Sequence, residues 1–403
     1  MLSMVLAVLL HCTDTSWPQY GGPAGTFTAT HPIRAGEWNI LWRQPLGQGT
    51  SVIVSDGRLL FTMGMRLKAG SKTEGDELVV AHDLTTGQRI WEQAVAIKRL
   101  NKQESFSGDP VRPQATPALC RGVLCTLGYT GIVAGWQAET GKLLWRIDLV
   151  NELGARPVQF GFSASPLIYR DDFVIHTGGS TSLIRVDPLT GRVKWKAEPG
   201  EPGYATPIMM RLQGEEHLVQ VTRDAILGIH PETGMTLWRY AMPEAGLTNV
   251  PTPLALKGDR LLVSGQGIKG TRMLQCNKAG ERWEIKELWH NSKVMFFYCN
   301  WTATEDAVYG NANKILLGLS LVDGKELWRE RGYAECNVLQ TGKDHVVVDG
   351  NGNLSRCEMS LQGVKQFTSM KIMQSRCWTA PSLVGNVLLL RDQEELVALS
   401  MGR

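Results

Sequence analysis

The sequence holds no adjacent cysteines, no C-x-x-C pair and no C-x-x-C-H, although eight cysteines are present: Cys12, Cys120, Cys125, Cys276, Cys299, Cys336, Cys357 and Cys377. Haem attachment and the usual zinc knuckles are thereby excluded, and the thiols read as small buried side chains. His82, His176, His230 and His345 are scattered without ligand spacing, so no metal site is expected. Runs of like charge are also missing. The 42 basic and 39 acidic side chains leave a net charge of +3 over 403 residues, a balance that speaks against a nucleic-acid surface or a polybasic anchor. No apolar run reaches the length of a membrane span. The nearest is residues 1–10 (MLSMVLAVLL), followed by His11 and Cys12. It has the length of a secretory h-region without a basic start or a small-x-small cleavage site. The expectation is an exported protein, with 1–12 a truncated signal segment and Cys12 a candidate for lipid attachment.

Against these absences stands a repeat. A small residue is followed two positions later by a polar one, then by Thr-Gly or an equivalent, then by an aromatic four residues after the glycine. Ala81, Asp83, Thr86, Gly87 and Trp91 make one copy, and Gly135, Gln137, Thr140, Gly141 and Trp145 the next. Arg185, Asp187, Gly191 and Trp195, then Gly228, His230, Gly234 and Trp238, continue it, and Gly318, Ser320, Gly324 and Trp328 give another. Cys357, Gly363 and Phe367 form a weaker copy. Between Cys276 and Trp289 the pattern is degraded, with Gly280 followed by Trp283 one residue early and Trp289 taking the aromatic role.

Each copy reads as a hairpin. The polar side chain caps local N–H groups, the glycine supplies positive φ, and alternating apolar residues on both sides are strands. A large aromatic at a fixed point of every unit can wedge against the next unit. Trp42, Trp91, Trp145, Trp195, Trp238, Trp289, Trp328 and Phe367 are the expected wedges. Ahead of the hairpins lie Thr116-Pro117, Ser165-Pro166, Thr206-Pro207, Thr252-Pro253 and Ala380-Pro381, each opening an apolar run, a short turn and a second strand. Four strands per unit at a repeat of roughly 40–50 residues mean propeller blades. They are expected at 49–95, 114–148, 163–197, 205–241, 251–289, 299–332 and 336–371. The segment from 378 to 403 supplies three more strands, and residues 37–45 supply the missing fourth. The predicted architecture is therefore all-β: an eight-bladed β-propeller spanning 37–403, closed by both termini in one blade, after an extended lead-in at 13–36.

The A-x-D-x-x-T-G-x-x-x-W copies resemble the repeats of pyrroloquinoline-quinone-type propellers, found in quinone-dependent alcohol dehydrogenases and in the propeller lipoprotein of outer-membrane protein assembly. Trp17-Pro18-Gln19-Tyr20 with Gly22 and Pro23 is similar to the W-P-Q-F-R-G-P lead-in of exported bacterial members, departing at Gly22 where arginine is usual. Cys377-Trp378-Thr379-Ala380-Pro381 and the stretch from Arg391 to Leu396 also look like that group. The resemblance implies two activities as alternatives: a pyrroloquinoline-quinone-dependent oxidoreductase with calcium, or an outer-membrane assembly factor. The dehydrogenases carry a vicinal disulfide over the cofactor, a calcium held by carboxylate and amide groups, and an aspartate base. Without adjacent cysteines or an evident calcium set, the expectation here is no cofactor.

Other motifs lack their context. Gly161-Phe162-Ser163-Ala164-Ser165 departs from G-x-S-x-G, and Gly265-Gln266-Gly267-Ile268-Lys269-Gly270 fits G-x-G-x-x-G with no helix after it, so it reads as a strand connection. Topology supplies the candidate site. The first strand of each blade lines the channel, so the residues before or at those strand starts ring one mouth: Gln114, Phe162, Tyr204, Asn249, Asn300, Asn337 and Trp378. Amide and aromatic groups there would suit a small polar ligand or a peptide end. Polar segments 66–77 and 96–113 read as long loops on the scaffold. The expected function is a monomeric, non-catalytic exported scaffold binding an envelope protein, a polymer or a small ligand.

Overall fold

The structure, a computed structural model, describes residues 15–29, 32–33, 36–72, 74–98, 112–246, 248–312 and 314–401. Cys12, the proposed signal segment and most of 96–113 lie outside the described residues. Eight antiparallel sheets follow one another around a channel. Blade 1 comprises Val54–Ser55, Leu59–Leu67, Glu74–Asp83 and Arg89–Lys98. Blades 2 to 7 occupy 118–148, 167–196, 208–241, 254–291, 296–330 and 337–371. Blade 8 joins Ser382–Val384, Val387–Arg391 and Glu395–Met401 to Trp38–Pro45, with Trp42 opposite Ala398. The eight-bladed ring closed by both termini is thus what the repeat predicted.

The motif residues form each outer hairpin for the reasons its sequence implies. Asp83 Oδ1 accepts from the N–H of Thr85 and of Thr86 and from the Thr86 hydroxyl, and Asp187 repeats the arrangement with Leu189 and Thr190. The initial small residue stands directly across from the aromatic: Gly135 faces Trp145, Gly228 faces Trp238 and Gly318 faces Trp328. A Cβ on Gly135 would lie 2.1 Å from the Trp145 ring, so only glycine leaves room for the indole.

Each indole then reaches the next blade. The Nε1 of Trp42, Trp91, Trp145, Trp195, Trp289 and Trp328 donates to the carbonyl of Leu84, Ala138, Pro188, Pro231, Leu321 and Ser360 respectively, at 2.6–3.2 Å. In five of the six that carbonyl belongs to the residue after the polar side chain of the neighbouring motif, and Ser360 holds the equivalent place after Met359. Two positions differ. Blade 5 has a longer hairpin, Gly270–Ala279 with Arg282–Asn291, so its turn is displaced. Trp238 accordingly donates to His217 in its own blade, and His217 meets Trp283 of blade 5 edge-on. Phe367 is 38% exposed and lies beneath Arg356 and Lys365. Its neighbour, blade 8, is made from two ends of the chain and has no hairpin turn to receive it.

The largest apolar cluster spans blades 7, 8 and 1, where the ring closes, and takes in Trp17, Trp38 and Trp42. Arg391 lies fully buried there and donates to the carbonyls of Gly47, Ser51, Met63 and Asp392 and to Thr62 Oγ1. A guanidinium satisfied by main-chain oxygens of blade 1 fastens blade 8 to it. One sequence reading changes. Segment 66–77 is largely strand, because Met65, Arg66 and Leu67 pair with Glu77, Asp76 and Gly75, leaving only a short turn. The lead-in lies against the inner strands. Trp17 exchanges hydrogen bonds with Ser55, Pro18 O accepts from Leu119 N, Gln19 Oε1 accepts from Ile168 N, and Thr28–Ala29 pairs in parallel with Asn337–Thr341. It therefore crosses the channel, contacting innermost strands of blades 1, 2, 3 and 7.

Candidate functional site

The Ser/Thr-Pro steps stitch neighbouring blades together where the inner strands begin. Val52 N donates to Thr116 Oγ1, Thr116 N to Ser165 Oγ, and Ser165 N to Thr206 Oγ1, each at 2.9–3.0 Å. The hydroxyl of one blade satisfies an N–H that the preceding blade leaves unpaired at its inner edge. The proline that follows each has no N–H to satisfy. Blades 6 and 7 use amides instead: Asn300 holds Val338 through both N–H and carbonyl, and Asn337 Oδ1 accepts from Asn300 N.

Of these hydroxyls, Ser165 and Thr206 line a channel cavity of about 110 Å³. Gln114, Tyr204, Asn337 and Trp378 line it, together with Ser163, Ser165, Thr206, Thr252, Tyr298 and Cys299. Tyr20 of the lead-in also lines it, and because that segment crosses at the far ends of the inner strands, Tyr20 forms the floor. No charged side chain belongs to the lining. Among the described residues no group of three or more His, Cys, Asp or Glu could hold a metal ion.

Of the seven residues anticipated at the mouth, four meet in this cavity. Phe162 is instead buried away from the lining, with Gly131 tight against its ring. Asn249 accepts from Gly267 N and donates to Thr222 O, so it braces the Gly265–Gly270 turn. A Cβ at Gly265 would lie 2.3 Å from its oxygen, which accounts for the glycines there. Asn300 has its amide committed to Val338. Gln114 donates to Phe160 O, and Tyr204 accepts from Phe160 N at 3.4 Å. Asn337 differs from all of these: it is 4% exposed, lines the cavity, and its Nδ2 has no hydrogen-bond partner.

The rim carries a cluster that the repeat did not announce. Trp378 Nε1 donates to Glu335 Oε2 at 2.7 Å, the Arg376 guanidinium lies 3.4 Å over the Trp378 ring, and Tyr298 stacks at 6.4 Å and 17°. Glu335 holds φ +54, a left-handed conformation unusual for glutamate. Burial pushes its carboxyl up, but Trp378, Arg376 and Lys314 outweigh that and hold it below its ordinary value. Tyr298 remains 69% exposed. Burial, reinforced by Cys336, Glu335 and Cys377, pushes the Cys299 thiol well above its ordinary range, so it is no thiolate nucleophile. No residue pattern announces the positive φ at Glu335.

No curated protein sequence matches this chain significantly. Among solved structures it resembles BamB from Moraxella catarrhalis at 15% identity and TM-score 0.61, covering 91% of this chain and all of that one. It also resembles a europium-containing methanol dehydrogenase (11%, TM-score 0.70, 96% and 98% covered). A third likeness is to the quinohemoprotein alcohol dehydrogenase of Comamonas testosteroni (12%, TM-score 0.66, 96% and 80% covered). At such identities these likenesses show the shared propeller. Residues 75–330, more than half of the sequence, match a family described as outer membrane protein assembly factor BamB. The chain therefore belongs to that family of pyrroloquinoline-quinone-like repeat β-propellers.

Proposed function

We propose that this protein is a non-catalytic, exported propeller that binds a small polar group at the open mouth of its channel. What supports this reading is a channel cavity lined by the hydroxyls of Ser163, Ser165 and Thr206 and the amides of Gln114 and Asn337, with no charged side chain in the lining and Tyr20 as its floor. With the Cys299 thiol held neutral, the cavity offers no activated nucleophile.

The residues do not fit a quinone cofactor. Pyrroloquinoline quinone carries three carboxylates, and burying them beside neutral hydroxyls and amides would leave those charges unpaired. A cavity of about 110 Å³ is also below the ~300 Å³ at which cofactor-sized pockets begin.

A thermal-shift screen of neutral metabolites and short peptides tests the reading. Hits should raise the melting temperature of the wild type but not of Ser163→Phe, which fills the cavity from a lining position. Tight binding of pyrroloquinoline quinone with calcium, coupled to alcohol oxidation, would overturn it. A second reading, envelope protein assembly, is favoured by the family match. Recovery of barrel-assembly components with the tagged protein from envelope extracts would support it, and their absence would remove it.

A further inference from the structure

The chemistry of the mouth narrows the ligand class. Ser165 Oγ and Thr206 Oγ1 each already accept a backbone N–H, so their O–H protons remain to be donated elsewhere. Gln114, whose Nε2 is committed to Phe160 O, offers its carbonyl oxygen. The cavity lining thus presents donors and acceptors side by side and no charged side chain, the charges of Arg112, Arg376 and Glu335 gathering around Trp378 at the rim. A ligand rich in hydroxyls, each both donor and acceptor, satisfies such a surface. A carboxylate or ammonium seated there would be desolvated without a counter-charge.

The cavity, about 110 Å³, opens onto the rim, so a sugar with one edge among the hydroxyls would rest its face there. The rim surface available to it is Tyr298, which both lines the cavity and is 69% exposed. Its ring is backed by Trp378, itself fixed by Glu335 and Arg376. An exposed aromatic face stacked on Trp378 beside a hydrogen-bonding cavity suits the C–H face of a pyranose.

We infer that the channel mouth recognises the end of a neutral saccharide, with terminal hydroxyls in the cavity against Ser165, Thr206 and Gln114 and the ring stacked on Tyr298. This rests on the channel-mouth reading and specifies its ligand. The test is an array of neutral oligosaccharides, their uronic-acid counterparts and short peptides, probed with the full chain. Tyr298→Ala and Ser163→Phe are probed in parallel, with Phe367→Ala as an outer-strand control. Binding to neutral oligosaccharides is expected, reduced at least tenfold in both mouth variants and unchanged in the control. Binding confined to acidic sugars or peptides, yet lost in Ser163→Phe, would overturn the saccharide assignment and leave the channel mouth as the site. Saccharide binding unchanged in Ser163→Phe would overturn both readings, and no binding to any neutral saccharide would overturn the inference.

Discussion

Glu77 gives a prediction whose size follows from its surroundings. The side chain is 4% exposed between blades 1 and 2, where Oε1 accepts from Tyr129 N at 3.0 Å. A Cβ at Gly128 would lie 2.3 Å from Oε2, so there is little room for water. Burial pushes the carboxyl from 4.5 to about 7, only partly countered by the Tyr129 hydrogen bond. The native state therefore keeps a proton that the unfolded chain loses near pH 4.5. The stability this contributes is complete below pH 4.5 and is lost as pH rises toward 7, a change of about 3 kcal/mol. Buried His176, His217 and His345 act the other way. Burial lowers each to about 4, so the native state loses stability as pH falls from 6.5 toward 4. The wild-type profile mixes the two effects, but the difference between Glu77→Gln and wild type removes the histidine contribution. Urea unfolding of both proteins from pH 5 to 8 should show that difference shifting in favour of the variant by up to about 3 kcal/mol. A difference independent of pH would refute the argument.

Three further perturbations test the ring. Trp145→Ala should destabilise by about 3–5 kcal/mol, because it empties a buried wedge, and Trp145→Phe by about 1–3 kcal/mol through the orphaned Pro188 carbonyl, both read from denaturation midpoints. At the closure, Arg391→Lys should be worse than Arg391→Met. Lysine keeps a buried charge while losing the fork that reaches Gly47 and Met63, at a cost of about 3–5 kcal/mol; the reverse order of melting temperatures would remove the clamp. Tyr20→Ala should enlarge the cavity from below and weaken any mouth ligand by calorimetry, and unchanged affinity would deny the lead-in its role as floor.

The blade count and the ring closure were legible because the motif combines a turn signal with a fixed aromatic, and because residues 38–45 carried an outer strand without its blade. The same local logic explains the exceptions at Trp238 and Phe367 only once the neighbouring hairpin is seen. Half the mouth was legible for a similar reason. Counting back from Ser/Thr-Pro finds residues near the channel, but not which way each side chain turns. Asn249 and Asn300 satisfy backbone groups of adjoining turns and strands, whereas Asn337 keeps a free N–H. The lead-in, the buried Arg391 and the rim around Glu335 depend on contacts between residues hundreds of positions apart or on a single φ angle. No periodicity carries such information.

The central claim is that recognition occurs at the channel mouth. Hydrogen–deuterium exchange of the full chain, with and without the neutral oligosaccharide that binds it most tightly, tests this directly. Slower exchange is expected around Tyr298, Asn337 and Trp378. Protection confined instead to the outer groove lined by Arg331, Tyr333 and Gln366 would contradict it.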